Sequence, residues 1–217
     1  MLNKFNHKGL YAVTDREITG LTHPQIVEEI IEGGGKLIQL REKSLLTGDF
    51  YQTALQAVTL ARRKGARLII NDRVDIALMV EADGVHLGQD DLDPEKARSL
   101  LGQDAIIGLS THSLAQAILA DKRPIDYIAV GPIFPTLTKP EASAEEGGYI
   151  GLELLFKVCQ LVSKPVVAIG GITLNTAKDV LETGASCVAI ISDLLKYGNI
   201  SERTNRFLIE LEPFTKI

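Results

Sequence analysis

The sequence has little cysteine, no tryptophan and no long apolar run. Its two cysteines, Cys159 and Cys187, fall in a predicted helix and a predicted buried strand, which argues against a disulfide framework and for a reducing, cytoplasmic compartment. The start MLNKFNHKGLYAVTD lacks the apolar stretch of a signal peptide. No later segment reaches the roughly 18 apolar residues of a membrane span. We therefore expect neither a leader nor a membrane anchor.

Basic clusters are absent as well. No block of Lys and Arg stands out and the net charge is -5 at pH 7, which argues against a nucleic-acid partner. The 217 residues are 45% hydrophobic and 24% charged, which is enough for one large core, and no Ser/Pro/Gly-rich linker divides them. We expect one domain over residues 1–217 with small molecules as partners. The sequence leaves the oligomeric state open, a homo-oligomer included.

Short aliphatic or β-branched runs alternate with amphipathic segments along the chain. The runs, read as strands, lie at residues 10–13, 37–40, 68–70, 84–87, 106–109, 127–130, 166–169 and 187–191. Helix-start signals lie between them, including Pro24, a capping Thr47, Asp93 before Pro94, and Ser113 with Gln116. Eight such units predict a single (β/α)8 TIM barrel of the α/β class. The rival, an open doubly wound sheet, usually has fewer strands and a glycine-rich loop after the first, which this chain lacks.

Polar residues or glycines follow the predicted strands, where barrel enzymes carry their chemistry. In the segment QLREK, Gln39, Arg41 and Lys43 fall at period two and therefore point to one side, while Leu40 and Glu42 point to the other. After strands three to eight come Asn71, Asp72, Gln89 to Asp91, Ser110, His112, Thr136, Thr138, Lys139, Gly170, Gly171, Ile191 and Ser192. The pattern predicts an active site at the carboxyl ends of the strands.

The chemistry of these side chains predicts two anion sites. Asp72 and Asp91 are hard oxygen ligands suited to Mg²⁺ shared with substrate phosphate oxygens. The cations suited to phosphate are Arg41, Lys43 and Lys139. Gly171 and Ser192 lie where barrels often bind a phosphate through backbone N–H groups. We therefore expect one metal-bound anionic group and one held by backbone.

Taken singly, each residue has a plainer interpretation. Asp72 could cap a helix starting at Arg73, and Asp91 could be a solvated turn residue. A histidine at a strand end, such as His86 or His112, is usually structural. The cations after strand two could form rim salt bridges with Glu42 or Asp72, and the paired glycines could serve a tight turn. The combination is more specific than any member.

Seven segments are distinctive when they are taken together: VTDR at 13–16, QLREK at 39–43, NDRVDIAL at 71–78, ADGVHLGQDD at 82–91, GLSTHS at 108–113, GPIFPTLTK at 131–139 and VAIGGI at 167–172. Together they resemble the thiamine phosphate synthase family. The resemblance covers residues 9–195 and implies a TIM barrel. It also implies an enzyme that joins 4-amino-2-methyl-5-hydroxymethylpyrimidine diphosphate to a thiazole phosphate, carboxylated or not, and releases pyrophosphate.

The resemblance also implies roles for individual residues. Asp72 and Asp91 would bind Mg²⁺. The pyrimidine diphosphate would be bound by Gln39, Arg41, Lys43, Asn71, Ser110 and Lys139. The thiazole phosphate would be held by Thr136, Thr138, Gly171, Ile191 and Ser192. The segment after Lys139, PEASAEEGGYIG, departs from the family, and the stretch from Asn199 onward matches nothing in it.

These residues suit a dissociative displacement, in which diphosphate leaves the aminopyrimidine and the thiazole nitrogen then attacks. Such a step needs charge neutralisation and placement, and no protein nucleophile. We further expect residues 136–148 to form a loop that closes over bound substrate. Two other functions stay open, a thiazole tautomerase of a related barrel family and a non-catalytic barrel that binds a phosphorylated metabolite.

Overall fold

A computed structural model describes residues 4–136 and 148–215. Within them, eight parallel strands form a closed barrel in the order β1 to β8, with β8 paired to β1. The strands are β1 Gly9–Val13, β2 Leu37–Leu40, β3 Arg67–Asn71, β4 Gly84–Leu87, β5 Ile106–Thr111, β6 Tyr127–Val130, β7 Val166–Ile169 and β8 Cys187–Ile190. The TIM-barrel fold predicted from the alternating pattern is confirmed, and each predicted strand lies within two residues of its observed bounds.

Helices cover the outside of the barrel. They are α1 Arg16–Thr19, α2 His23–Glu32, α3 Thr47–Arg63, α4 Val74–Met79, α5 Pro94–Leu101, α6 Leu114–Ala120, α7 Gly151–Leu161, α8 Ala177–Glu182, α9 Ser192–Leu195 and α10 Ile200–Thr215. None of the helices in the described ranges is long and apolar enough to span a membrane. Both cysteines are free thiols, as their places in α7 and β8 predicted.

Two apolar layers fill the molecule because strand side chains alternate between the barrel interior and the helices. The larger layer lies between strands and helices. The smaller one fills the barrel and includes Tyr11, Leu37, Ile69, Tyr127 and Val167. Phe5 joins this inner layer, with its ring centroid 4.4 Å from that of Tyr127. The barrel is therefore solid below its carboxyl-end rim, and chemistry is confined to that rim.

Side-chain caps fix several helix starts. Asp93 accepts from Glu95 N, and Ser113 accepts from Gln116 N, as the sequence predicted. The Gln116 side chain closes back on the N–H of His112, one residue earlier than a capping box requires. Thr47 is not a cap, because α3 begins at Thr47 itself and Leu46 takes the cap position without a side-chain bond.

The C-terminal helix α10, which the sequence left unassigned, packs against α2 and β1. Close approach of α2 and α10 requires glycine at position 33, where a Cβ would lie 2.3 Å from the carbonyl oxygen of Ser201. The side chain of Arg203 in α10 also reaches Asp193 in α9, the short helix that follows β8.

Candidate active site

A cavity at the carboxyl ends of the strands gathers most of the predicted site residues. It is lined by Gln39, Arg41, Lys43, Asn71, Asp72, Ser110, Thr136, Gly171, Ile191 and Ser192. Asp91 lies beside it in contact with Asp72. Thr138, Lys139 and most of the expected closing loop, residues 137–147, lie outside the described residues.

The two acids meet above the sheet, as their places after β3 and β4 predicted. Asp72 has a left-handed backbone, with φ 61°, and its backbone N–H donates to the carbonyl of His86 at 2.8 Å. Asp91 accepts from the backbone N–H of Gly88 at 2.7 Å, so it does serve a turn. The alternative role of Asp72 as a helix cap is wrong, because α4 begins at Val74 without a side-chain cap.

The carboxyl groups of Asp72 and Asp91 lie close enough to interact, and this interaction shifts their two pKa values in opposite directions. Burial raises the pKa of Asp91, and the adjacent Asp72 carboxylate raises it further. The hydrogen bond from the Gly88 N–H lowers this pKa but does not outweigh the other two effects. Burial also opposes ionisation of Asp72, but the hydrogen bond from Lys43 and the interaction with the Asp91 carboxyl group outweigh this and leave its pKa below the usual value. Two facing carboxylates need a shared proton or a cation between them.

The donor set of this pair fits a hard cation. Both ligands are carboxylate oxygens, and Mg²⁺ is commonly held by one or two carboxylates, with waters and substrate phosphates completing its shell. Within residues 4–136 and 148–215, no group of three His, Cys, Asp or Glu side chains has metal-binding geometry. A substrate phosphate would therefore have to supply part of the coordination.

Two of the three predicted phosphate-binding cations, Arg41 and Lys43, are each paired with an acid at the rim. Lys43 Nζ donates to Asp72 Oδ2 at 2.5 Å, while Arg41 Nη1 donates to Asp15 Oδ2 at 2.9 Å. The plainer interpretation as rim ion pairs therefore applies to both, with Asp15 as an unexpected partner for Arg41. Lys43 remains half exposed, so the pair is solvent-screened and can rearrange around an anion at small cost.

The opposite side of the cavity is built from backbone. Gly170 and Gly171 have φ of 100° and 66°, which favour glycine. A Cβ on Gly171 would lie 2.7 Å from the carbonyl oxygens of both Phe134 and Pro135. Ser192 opens α9 beside this turn. Gly171 therefore lets the loops after β6 and β7 touch where the phosphate was predicted.

Comparison of the sequence with known proteins identifies the family. Residues 10–194 match the sequence profile described as thiamine monophosphate synthase. The chain belongs to this family. A thiamine-phosphate synthase of Persephonella marina is 44% identical over 207 residues, 95% of this chain and 97% of that protein. Another, from Methanospirillum hungatei, is 43% identical over 200 residues, 92% of this chain and 95% of that protein.

A solved structure agrees with the sequence comparison. The thiamine phosphate pyrophosphorylase of Pyrococcus furiosus superposes with a TM-score of 0.87 at 36% identity, covering 99% of this chain and 98% of that one. The family, the fold and the enzyme class predicted from the seven segments are thereby confirmed. Which residues of this thiamine monophosphate synthase family member perform which role stays a prediction.

Behind the rim, a network that the sequence did not reveal supports the QLREK segment of this family member. Glu42 points away from the cavity, as its period predicted, and accepts from His23 Nε2 at 3.1 Å. The carboxylate fixes the proton of His23 on Nε2, so Nδ1 accepts from the Thr14 hydroxyl at 2.8 Å. Thr14 Oγ1 in turn accepts from the backbone N–H of Arg41. The backbone that carries Arg41 is thus anchored by α2.

Replacing Glu42 with glutamine should weaken the fold in a pH-dependent way. Burial raises the pKa of Glu42, but hydrogen bonds from Ser44, Leu45 and His23 outweigh it and bring the pKa to about 2. A lowered pKa stabilises the fold above the unfolded value near 4.5, and this contribution is lost as the pH falls towards about 2. Glu42→Gln should therefore cost about 2 kcal/mol at pH 7 and flatten the acid dependence of stability below pH 5.

Urea unfolding at pH 7, 5 and 3 measures this effect. Glu153→Gln is the matched control, because Glu153 is an exposed carboxylate on α7. A Glu42→Gln variant that loses stability between pH 5 and 3 as steeply as the unchanged protein would contradict the assignment.

Asp193 connects the loops after β7 and β8 to the C-terminal helix. Its Oδ2 accepts from Leu174 N at 2.8 Å, in the loop after β7, and from Arg203 Nη2 at 2.5 Å, in α10. Arg203 also donates to the Asp193 carbonyl and lies over the Tyr197 ring at 4.9 Å. The segment from Asn199 onward thus supports, from outside the cavity, the short helix that begins at Ser192.

Removing the guanidinium of Arg203 should loosen the loop after β8. Arg203→Met leaves a buried Asp193 without its ion-pair partner, which should cost about 3 kcal/mol of stability and raise the KM for the thiazole phosphate several-fold. Arg206→Met, on an exposed position of the same helix, is the control. An equal rise in both substrate KM values would show that Arg203 acts on the whole barrel instead of this loop. Calorimetry and two-substrate kinetics measure both quantities.

Proposed function

We propose that this chain joins 4-amino-2-methyl-5-hydroxymethylpyrimidine diphosphate to 4-methyl-5-(2-phosphoethyl)thiazole or its carboxylated form, giving thiamine phosphate and pyrophosphate, with CO2 as a further product when the thiazole is carboxylated. One observation carries the proposal: one side of a single cavity has Asp72, which is paired with Lys43 and lies next to Asp91, and the opposite side has the glycine turn at Gly171. The first suits a diphosphate and the second a monophosphate. The names of the relatives support the same reaction.

The diphosphate side would lie between the acid pair and the cations. Asp72 and Asp91 would hold Mg²⁺, which when bound neutralises charge on the departing diphosphate. Lys43 and Arg41 would turn from their acid partners to the diphosphate oxygens, Arg41 as a two-pronged donor. Lys139 would reach the same group, and Gln39, Asn71 and Ser110 would orient the pyrimidine. No protein nucleophile is required, because the ring stabilises the methylene cation that remains.

The second substrate would be positioned by the loops after β6, β7 and β8. Its phosphate would be held by Thr136, Thr138, Gly171, Ile191 and Ser192. The thiazole nitrogen would then face the pyrimidine methylene without a base. Closure of the loop over residues 136–148 would exclude water from the cation. We propose that the whole chain, residues 1–217, acts as one such domain in the cytoplasm, with Mg²⁺ and the two substrates as its partners.

Incubation of the purified protein with both substrates and Mg²⁺ tests the reaction. We expect pyrophosphate and thiamine phosphate in equal amounts, and neither product when one substrate is left out. A thiazole tautomerase would convert its thiazole substrate without pyrophosphate release. A binding barrel would take up the phosphates with no turnover. Either result would overturn the proposal.

A further inference from the structure

A chain of buried hydrogen bonds runs from one side of the cavity floor to the other through the barrel interior. Gln39 Nε2 donates to Tyr11 Oη at 3.2 Å, and Tyr11 Oη lies 3.0 Å from Tyr127 Oη. Tyr127 Oη lies 2.9 Å from His86 Nδ1, and His86 Nε2 lies 2.8 Å from Ser110 Oγ. Gln39 and Ser110 line the cavity, whereas both tyrosines lie beneath it.

Packing inside the barrel fixes the position of Tyr127, the central residue of this hydrogen-bonded chain. A Cβ at Gly108 would lie 2.0 Å from Cζ of Tyr127. Only glycine at this position of β5 therefore leaves room for the phenol ring. The His86 ring is stacked on the Tyr127 ring, with their planes 18° apart. Burial raises the pKa of both phenols, so each keeps its proton. The geometry that joins Tyr127 to His86 is therefore held by packing as well as by the hydrogen bond.

Counting protons gives the chain a direction. The Gln39 amide nitrogen can only donate, so Tyr11 must pass its own proton to Tyr127. Tyr127 then donates to His86 Nδ1, which makes neutral His86 the Nε2–H tautomer and a donor to Ser110 Oγ. In the reverse direction the Tyr11 proton would have no acceptor among the described residues. The four hydrogen bonds use one proton each, from Gln39, Tyr11, Tyr127 and His86. The hydroxyl proton of Ser110 is therefore not used within the chain and can be donated to a ligand in the cavity.

We propose that Tyr127 and His86 are positioning residues that hold the Ser110 hydroxyl as a donor to the substrate. The proposal rests on the proposed function and names the atom class recognised, an acceptor such as a ring nitrogen of the aminopyrimidine. Gln39, whose Nε2 is bound by Tyr11, offers its Oε1 acceptor, which suits an exocyclic amino group. A ring with an acceptor nitrogen facing Ser110 and an amino group facing Gln39 therefore complements the site. A ring with a donor facing Ser110 and an acceptor facing Gln39 does not.

The tautomer of His86 can be measured without substrate. Nitrogen-15 spectra of the imidazole, assigned with His86→Asn, should show Nε2–H in the unchanged protein. Tyr127→Phe deletes one hydroxyl and should shift His86 towards Nδ1–H, since Ser110 is then free to donate to Nε2. Tyr11→Phe is the matched control: it deletes the same atom one link farther away, and Tyr127 still donates to His86, so the tautomer should stay.

Kinetics measure the consequence for substrate. Tyr127→Phe should raise the KM for the pyrimidine diphosphate about 5- to 10-fold, the effect of about one hydrogen bond. The kcat should change less than about twofold, because a donor to a ring nitrogen helps the substrate more than the developing cation. The KM for the thiazole phosphate should stay, and Tyr11→Phe should have the smaller effect.

An Nδ1–H tautomer in the unchanged protein would overturn the proposal, even if Tyr127→Phe failed to fold. A tautomer shift in Tyr127→Phe with an unchanged KM would overturn the role in substrate binding. If the unchanged protein releases no pyrophosphate, the proposed function is wrong, and the role of Tyr127 has to be tested by binding. Titration with the pyrimidine diphosphate and Mg²⁺ would then decide whether Tyr127→Phe weakens binding, and equal affinities would again overturn the proposal.

Discussion

Asp91→Asn should lower Mg²⁺-dependent turnover about 100-fold while leaving the fold intact, since a metal-assisted step loses an anionic ligand. Asparagine keeps the shape of the side chain, and its Oδ1 can still accept from Gly88 N. Higher Mg²⁺ should restore part of the loss. Asp72→Asn should behave alike, because asparagine tolerates the left-handed backbone at that position.

Stability separates this prediction from the turn interpretation of Asp91. Relief of the contact between two carboxyl groups predicts a melting temperature, measured without metal, that is unchanged or higher. A role only in the turn predicts a cost of up to about 1 kcal/mol with turnover preserved, because a neutral amide oxygen is a weaker acceptor for the Gly88 N–H than a carboxylate. Asp93→Asn is the control, since Asp93 caps α5 and pairs with Arg123 on the surface. Near-normal turnover of Asp91→Asn at low Mg²⁺ would show that the pair does not hold the metal.

Gly171→Val should raise the KM for the thiazole phosphate at least tenfold and change the KM for the pyrimidine diphosphate far less. Its φ of 66° strains any β-branched residue. Its Cβ would also meet two carbonyl oxygens at 2.7 Å, so the loop after β6 must move together with the glycine turn. Both changes fall on the side of the cavity assigned to the thiazole.

Gly20→Val provides the matched control for backbone strain. Gly20 has a φ of 70°, and nothing lies within 4 Å of its added Cβ. This variant should lose stability yet keep both KM values. If Gly171→Val raised the two KM values equally, the phosphate assignment would be wrong. Steady-state kinetics with each substrate varied in turn, together with melting temperatures, measures the contrast.

The barrel could be predicted because its signals are local. Eight buried runs, the helix starts and the period of two in QLREK each lie within a few residues of sequence, and parallel strands bring their carboxyl ends to one rim. The meeting of Asp72 and Asp91 followed from that rule alone. Thr47 failed as a cap because the sequence cannot show whether a threonine stands before the first turn or inside it.

The supporting contacts could not be predicted because their partners are distant in sequence. Tyr11 and Tyr127 are 116 residues apart, and nothing local marks either as a hydrogen-bonding group. Asp193 and Arg203 required the placement of α10, for which no family segment gave a guide. One signal was available: Tyr11 and Tyr127 are the tyrosines of predicted strands, and a buried phenol usually finds a partner.

The left-handed backbone of Asp72 bears on how the gene would change if the reaction were no longer needed. Glycine there would relieve a strain of about 1 kcal/mol, and asparagine would tolerate it better than most residues. As long as selection maintains the carboxylate at position 72, the protein cannot gain this stability. Once selection lapses, position 72 should drift to glycine or asparagine sooner than position 91, whose backbone has no positive φ. In such a lineage we expect Asp72 to be replaced before Asp91.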